Sequence, residues 1–284
     1  MKSIDTLVED IYALFEDEDW VPTEEAVLEF GHNLARHLSK RASETKQGPS
    51  LRASNIGYPD RKLWFSINKP ETAEKLSPAT RIKFLYGDLI EELILFLAKE
   101  AGHEVRGQQD AVEIHGVFGS RDAVVDGELV DVKSASTMSF RKFEDNSLVD
   151  NDPFGYIDQL NFYLNGATDV NPDRAHFLAV DKTLGNITLN TQPRKYKNYV
   201  SLINNKREML SKTTPPIAHC YSPVPEGKSG NLKLDTGCSY CAFKWECWPS
   251  LRAFAYSNKP VYLVEVKREP KVPEFDKDGR VINE

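Results

Sequence analysis

The chain has no run of about 18 apolar residues, the shortest length that spans a membrane as a helix. Its N-terminus also has no apolar stretch of the secretory type, so we expect a cytoplasmic protein with no membrane partner. Basic residues are in the minority, with 36 Lys and Arg against 43 Asp and Glu and a net charge of −7. That balance argues against a nonspecific coat on nucleic acid, but it allows an enzyme with a local basic groove. No internal repeat is visible.

Cysteine is scarce, and its few positions are clustered. All four cysteines lie between positions 220 and 247, namely Cys220, Cys238, Cys241 and Cys247. Two thiolates separated by two residues can turn onto a single metal, and two more can complete its coordination. Disulfides are the competing interpretation, but a chain of 284 residues with 40% hydrophobic composition needs no such staples to build a core. We therefore expect a metal site, with zinc and an iron–sulfur cluster both open.

The stretch from Val117 to Ser134 alternates apolar and polar residues around Asp126-Gly127, which predicts two strands joined by a tight turn. On the second strand, Asp131 and Lys133 share one face, because the side-chain period of a strand is two. The residues between them, Val130 and Val132, then point into a core. An isolated pair of this kind is usually an exposed ion pair.

Further polar residues can join that pair. Asp122 near the end of the first predicted strand would supply a second carboxylate, and two carboxylates can hold Mg²⁺ or Mn²⁺ through oxygen. Gln159 and Tyr163, four residues apart, would share one face of a helix. Glu91 lies in a helical run from Pro78 to Ala101. The predicted apolar stripe of that helix is Ile82, Leu85, Leu89, Ile90, Leu93, Phe96 and Leu97.

The order of these motifs resembles the PD-(D/E)XK nuclease superfamily, in particular its RecB-like, AddB-like and CRISPR-associated exonuclease branch. The matching segments are Gly87-Asp88-Leu89-Ile90-Glu91, Gly119-Ser120-Arg121-Asp122, Asp131-Val132-Lys133 and Gln159-Leu160-Asn161-Phe162-Tyr163. The likeness covers roughly residues 50 to 250. The chain departs from the family in the first motif, where the family often has His and this chain has Asp88 and Glu91.

The resemblance implies an α/β fold, with a restriction-endonuclease-like core sheet flanked by helices, an N-terminal helical cap and a C-terminal cysteine segment. It implies a Mg²⁺- or Mn²⁺-dependent exonuclease that hydrolyses DNA ends in replication, recombination or repair, of a kind encoded by phages and working in the host cytoplasm. The partners implied are single-stranded DNA or a duplex end, and a replication or recombination protein. Alternatives are a structure-specific endonuclease on the same fold and a silent protein that binds DNA or a partner.

The resemblance also implies residue roles. Glu91, Asp122, Asp131 and the carbonyl of Val132 would bind the cation, and Lys133 would orient the attacking water or stabilise developing charge. Gln159 and Tyr163 would hold the DNA strand. A basic entry segment, Arg61 and Lys62, would also contact substrate.

The cysteine segment resembles the iron–sulfur staple of AddB-type and CRISPR-associated exonucleases. The fourth ligand of that staple usually lies upstream of the nuclease core, where this chain has no cysteine, so Cys220 would take its place. The resemblance thus implies a four-iron, four-sulfur cluster, with Zn²⁺ as the alternative. The resulting division is an N-terminal helical region over 1–50, a nuclease core over 51–212, the cysteine segment over 213–257, and a strand with a loose tail over 258–284.

Overall fold

The computed structural model describes the backbone of residues 2–43, 48–257 and 259–283. In these ranges, the α-helices are α1 (Leu7–Glu16), α2 (Glu24–Ser43), α3 (Asp60–Asn68), α4 (Pro78–Glu100), α5 (Thr137–Glu144), α6 (Tyr156–Gly166), α7 (Tyr199–Leu210), α8 (Thr236–Ser239) and α9 (Lys244–Cys247). No helix in the described ranges has the length and apolarity needed to span a membrane.

The strands follow the same chain order. They are β1 (Val105–Arg106), β2 (Ala111–Ile114), β3 (Val117–Ser120), β4 (Ala123–Val125), β5 (Glu128–Ala135), β6 (Arg174–Asp181), β7 (Ile187–Pro193), β8 (Val224–Pro225), β9 (Leu232–Lys233), β10 (Arg252–Ala255), β11 (Pro260–Glu265), β12 (Glu274–Phe275) and β13 (Val281–Asn283).

The chain forms two compact units. The first unit comprises Met1–Gly57 and Leu76–Ile203, and the second comprises Tyr58–Lys75 and Asn204–Glu284. This division differs from the one drawn from sequence, because the segment with α3 belongs to the second unit and not to the nuclease core. Helix α3 buries Leu63, Trp64 and Phe65, and the aromatic pair packs with Phe243 of the same unit.

A five-stranded sheet organises the first unit, in the order β1-β4-β5-β6-β7. Strands β5 and β6 run parallel, and the other neighbouring pairs in this sheet run antiparallel. A parallel pair needs a crossover connection, and α5 and α6 lie in the chain between β5 and β6. The predicted α/β fold with a central sheet and flanking helices is confirmed.

Helices cover both faces of that sheet. On one face, Leu129 and Phe177 pack with residues of α5 and α6, such as Phe140 and Leu160. On the other face, the buried cluster comprises Val130, Val132 and Leu178 of the sheet with Ile4, Leu7, Ile11, Ile94, Leu95 and Ala98. Helix α1 is thus part of the main core, because its buried side chains lie directly against the sheet.

The predicted tight turn is present between β4 and β5. Asp126 and Gly127 have φ values of 49° and 82°, the left-handed region that a two-residue hairpin turn requires. Strand β3 does not join this sheet, and it pairs with β2 in a separate two-stranded ribbon. Asp122 therefore lies in the short connection between β3 and β4.

The second unit contains an antiparallel six-stranded sheet, in the order β13-β12-β10-β11-β9-β8. The sequence predicted a loose tail at the C-terminus, and the structure instead places β12 and β13 in this sheet. Arg252 on β10 explains the difference, because its guanidinium pairs with Glu269 at 2.5 Å and with Glu274 at 2.7 Å. Short polar strands that are held by an arginine side chain show no clear alternation of apolar and polar residues in the sequence.

Candidate active site and metal centres

Asp131 and Lys133 lie on the face of β5 that α5 and α6 cover, as the strand period predicts. The two side chains form a direct ion pair. Asp131 is only 2% exposed, and the Lys133 ammonium lies 4.8 Å from the ring centre of Tyr156. Burial by itself would lower the pKa of Lys133, but the charges of Asp131 and Asp122 outweigh it and raise this pKa. Lys133 is therefore an ammonium ion at neutral pH.

The backbone of β5 holds Asp122. Its Oδ2 accepts a hydrogen bond at 2.8 Å from the amide of Val132, which lies between Asp131 and Lys133. Burial raises the pKa of Asp122 well above its usual value, and the charges of Asp131 and Glu91 raise it further. The three predicted carboxylates are thus close enough to affect one another's charge.

Glu91 approaches from α4, which packs on the opposite face of the sheet from α6. Burial raises the pKa of Glu91 to about 7, although a hydrogen bond from Gln109 opposes that shift. The like charges of Glu92 and Asp131 add to the rise. In the described part of the chain, Glu91, Asp122 and Asp131 do not bring three ligand atoms within 4.8 Å of one another. The carboxylates surround the Lys133 ammonium and do not already converge on a single point.

Gln109 is a site residue that the sequence motifs did not indicate. Its side-chain Nε2 donates to Glu91 at 2.7 Å, and its backbone amide donates to the Asp122 carbonyl at 3.3 Å. It thereby connects the helix carboxylate to the segment that carries Asp122. Its φ of 61° lies in the left-handed region, which is uncommon for a residue other than glycine. This backbone conformation and the contact with Glu91 are visible only in the structure.

Gln159 and Tyr163 share a face of α6 as predicted, and the Gln159 Nε2 lies 3.3 Å from the Tyr163 hydroxyl. Tyr163 is only 3% exposed. Burial raises its pKa to about 12, and the charges of Asp131 and Asp122 contribute to that rise. A Cβ on Gly119 would lie 2.8 Å from Tyr163 Cε1 and would also collide with Ala53. The glycine of the second motif is therefore required by close packing against Tyr163, while Gln159 is half-buried at the site.

Arg61 and Lys62 lie in the second unit, on α3, where they face the cysteines. The Lys62 ammonium lies 3.6 Å from the ring centre of Tyr58. Burial lowers the pKa of Lys62, while the charges of Cys241, Cys220 and Cys238 oppose that change. Arg61 donates a hydrogen bond to Cys247, which partly offsets the effect of burial on the pKa of that thiol. Both side chains therefore interact with the cysteines and the residues around them.

The four cysteines line one cleft in the second unit, with about 350 Å³ of empty space that is partly open to solvent. Burial raises the pKa of Cys238 to about 12, and the other three thiolates raise it further. His219 stacks on Trp248 beside the cleft, with ring centres 3.8 Å apart. In the described residues, no three of these sulfurs come within 4.8 Å of one another. As placed, the four sulfurs therefore do not form the compact group that one tetrahedral ion would need.

A third group comprises His37, Glu91 and Glu92, whose ligand atoms all lie within 4.8 Å of one another. His37 is on α2 and the glutamates are neighbours on α4. The His37 Nε2 lies 2.8 Å from Glu92 Oε1, and Glu92 is 2% exposed. No sequence motif predicts this group, because His37 lies far along the chain from Glu91 and Glu92.

Comparison with known proteins finds no matching family model and no matching curated sequence. Solved structures that are similar include the crystal structure of SSO0001, with 13% identity and a TM-score of 0.42, which covers 76% of this chain and 95% of that chain. Another is an alkaline exonuclease, LHK-Exo, from Laribacter hongkongensis, with 17% identity, a TM-score of 0.37, and coverage of 66% and 89%. Its complex with dAMP gives 16% identity, a TM-score of 0.37, and coverage of 57% and 85%. At this level of likeness, the neighbours do not identify a reaction for this chain.

Proposed function

We propose that this chain is a divalent-metal-dependent deoxyribonuclease that acts as an exonuclease on DNA ends. One observation supports this function above the others. Three carboxylates from separate elements, Glu91, Asp122 and Asp131, lie in one desolvated neighbourhood, and Lys133 is the cation that lowers the pKa of Glu91 and Asp122. Like charges held together away from water destabilise a fold, and such destabilisation is typical of functional sites.

The donor set fits a hard divalent cation. Carboxylate oxygens are the ligands that Mg²⁺ and Mn²⁺ prefer, and the raised pKa of Asp122 shows how strongly a further positive charge would be favoured there. Glu91, Asp122, Asp131 and the carbonyl of Val132 would hold the ion. A bound ion supplies Lewis acidity, which polarises a phosphate and lowers the pKa of an attacking water.

The residues of the chain have separate roles in this hydrolysis. Because its pKa is raised, Lys133 would act as a fixed ammonium that orients the water or stabilises charge on the phosphate, and not as a general base. Tyr163 is buried and would position β5 and the Asp122 connection through its contact at Gly119. Gln159 is half-buried and would contact the DNA strand.

A cleavage assay tests this function. Purified protein is incubated with end-labelled linear duplex, linear single strands and circular DNA, in Mg²⁺, Mn²⁺ or chelator. We expect linear DNA to be degraded only with metal and circles to stay intact. Lys133→Ala should lower the rate about a thousandfold, as loss of a transition-state donor typically does. Lys182→Ala, which removes an exposed lysine at the end of β6, should not.

Each alternative gives a different result in that assay. Cutting of circles would indicate the endonuclease, and DNA binding without cleavage would indicate the silent protein. Cleavage that persists in chelator, or in Lys133→Ala, would contradict the proposed mechanism.

For the second unit, we propose that Cys220, Cys238, Cys241 and Cys247 hold a four-iron, four-sulfur cluster. In a tetrahedral zinc site with Zn–S bonds of about 2.3 Å, neighbouring sulfurs are about 3.8 Å apart. A cubane binds each thiolate to a different iron and so holds the sulfurs farther apart. The wide cysteine spacing supports the cluster, and the basic side chains of Arg61 and Lys62 would balance its negative charge.

Visible absorbance of protein purified without oxygen, together with iron and zinc analysis, tests this assignment. We expect a brown protein with about four irons per chain. A colourless protein with one zinc per chain would establish the alternative.

A further inference from the structure

His37 and Glu92 are in close contact, but they do not form a hydrogen bond with each other. The two atoms, His37 Nε2 and Glu92 Oε1, are 2.8 Å apart, yet neither has a hydrogen-bond partner among the described residues. Their lone pairs and protons therefore do not point at each other. A buried carboxylate oxygen without a hydrogen bond is costly, so the arrangement needs an explanation other than a simple ion pair.

Shared coordination of a cation explains this geometry. In an octahedral site with bonds of 2.0–2.1 Å, adjacent ligand atoms are about 3 Å apart, and they point at the ion and not at each other. Glu91 supplies a third ligand atom within 4.8 Å of the other two. The two helices are already held in register, since Lys99 on α4 pairs with Glu29 on α2 at 2.6 Å. The ligands are thus preorganised.

We propose that His37, Glu91 and Glu92 form a binding site for a divalent transition cation such as Mn²⁺. An imidazole nitrogen in the donor set favours transition cations over Mg²⁺, which prefers oxygen and its own waters. A cleft lined by Asn33, Glu92 and Phe96 borders the group. The site goes beyond the proposed nuclease activity, because neither Asp131 nor DNA takes part in it.

Glu91 gives the site a consequence for its surroundings. It is the one member of the group that also belongs to the carboxylates around Lys133, and Gln109 already holds its Oε1. An ion on His37 and Glu92 would fix the Glu91 carboxylate and attach α2 to α4. A cation bound at this site would thus connect α2 to the proposed nuclease site.

Mn²⁺ binding to the full chain tests the proposal, measured from the EPR signal of free Mn²⁺ during titration. Compared with the wild type, we expect His37→Ala to have one Mn²⁺ site fewer, or to bind Mn²⁺ at that site at least about tenfold more weakly. His32→Ala is the matched control, because His32 is exposed on the same helix, and it should bind as the wild type does. Asp131→Asn should lose cleavage and keep the His37 site, which separates failure of this proposal from failure of the nuclease assignment.

Folding is checked in the same proteins, because His37 packs against a buried partner. Circular dichroism shows whether His37→Ala and Glu92→Gln remain folded. In addition, Mn²⁺ should raise the melting temperature of the wild type and of His32→Ala more than that of either site variant. Equal Mn²⁺ stoichiometry and affinity in the wild type and His37→Ala, or equal Mn²⁺-induced shifts in all four proteins, would overturn the proposal.

Discussion

The carboxylate site of the first unit and the cysteine site of the second unit are built in opposite ways. Glu91, Asp122 and Asp131 come from a helix, a connection and a strand, and the central sheet brings them together. The cysteines come from one short stretch of chain, and the small helices α8 and α9 present Cys238 and Cys247. The carboxylate site depends on the fold that surrounds it, while the cysteine site depends on local chain geometry and on the metal proposed for it.

Charge is also handled differently at the two sites. In the first unit, Lys133 is paired with Asp131, and the pKa values of Glu91 and Asp122 remain raised. In the second unit, burial raises the pKa of Cys220, Cys238 and Cys247, so metal-free thiols stay protonated and neutral. Removing the metal should therefore leave the carboxylate site repulsive and the cysteine site merely empty. A bound cation should therefore stabilise the first unit by relieving repulsion, whereas a metal at the cysteines should stabilise the second unit by closing a site that the local chain does not hold by itself.

The largest effect is expected from Cys238→Ser. Cys238 is a buried thiol and a proposed metal ligand, and metal binding supplies folding free energy wherever the site does not exist in the unfolded chain. We expect loss of the bound metal and destabilisation of the second unit by about 3 kcal/mol or more. Metal analysis and limited proteolysis measure both effects.

Ser239→Ala is the control, since it removes only a hydroxyl that donates to the Asp235 carbonyl at 3.0 Å. It should cost about 1 kcal/mol and leave the metal content unchanged. If Cys238→Ser keeps wild-type metal content and proteolytic resistance, the cysteines are ordinary buried thiols and the contrast between the sites fails.

A smaller effect is expected from Gly119→Ala, which tests the fold dependence of the carboxylate site. The added methyl would collide with Ala53 and lie 2.8 Å from Tyr163 Cε1, so one of them must move. We expect a loss of about 2 kcal/mol in the free energy of unfolding and a slower cleavage reaction, because Tyr163 positions the site. Chemical denaturation and the cleavage assay measure the two effects.

Gly87→Ala is the matched substitution, since Gly87 is the other motif glycine in the first unit. A Cβ there meets only Ser134 Oγ, at 3.7 Å, so the change should be neutral or stabilise α4 by up to about 1 kcal/mol. Equal destabilisation by the two substitutions would show that packing does not explain the glycine at 119.

The sequence predicted features that follow from a strong local period. The faces of Asp131 and Lys133, the turn at Asp126-Gly127 and the helix that carries Gln159 are all observed. The family resemblance named Glu91, and the structure places it beside the other carboxylates. These features could be predicted because alternation and helical spacing are properties of the chain itself.

Features that depend on distant partners were not predictable. The predicted apolar stripe of α4 is wrong at four positions, because Ile82, Leu85, Leu89 and Leu93 are exposed. Glu92 is instead buried beside His37. The family resemblance implied that Arg61 contacts substrate, and the structure places its side chain beside Cys247. Gln109 has no motif at all. In each case, the partner of the side chain lies elsewhere in the chain.

The smallest effect concerns the charge of Glu91 in metal-free protein. Its folded pKa of about 7 lies above its usual value of 4.5, so protonation of Glu91 favours the folded state. This contribution is complete below pH 4.5 and is lost as the pH rises through 7. In chelator, Glu91→Gln should therefore be more stable than the wild type by about 1–2 kcal/mol at pH 8, and the two should be equal near pH 4.5.

Glu25→Gln, at an exposed position on α2, is the control and should show no such pH dependence. Urea denaturation at the two pH values measures the stability of all three proteins. Added Mn²⁺ should reverse the order at pH 8, because the ion stabilises only a chain that has the carboxylate. A stability difference that is the same at both pH values would mean that Glu91 does not carry the repulsion on which the proposed metal site depends.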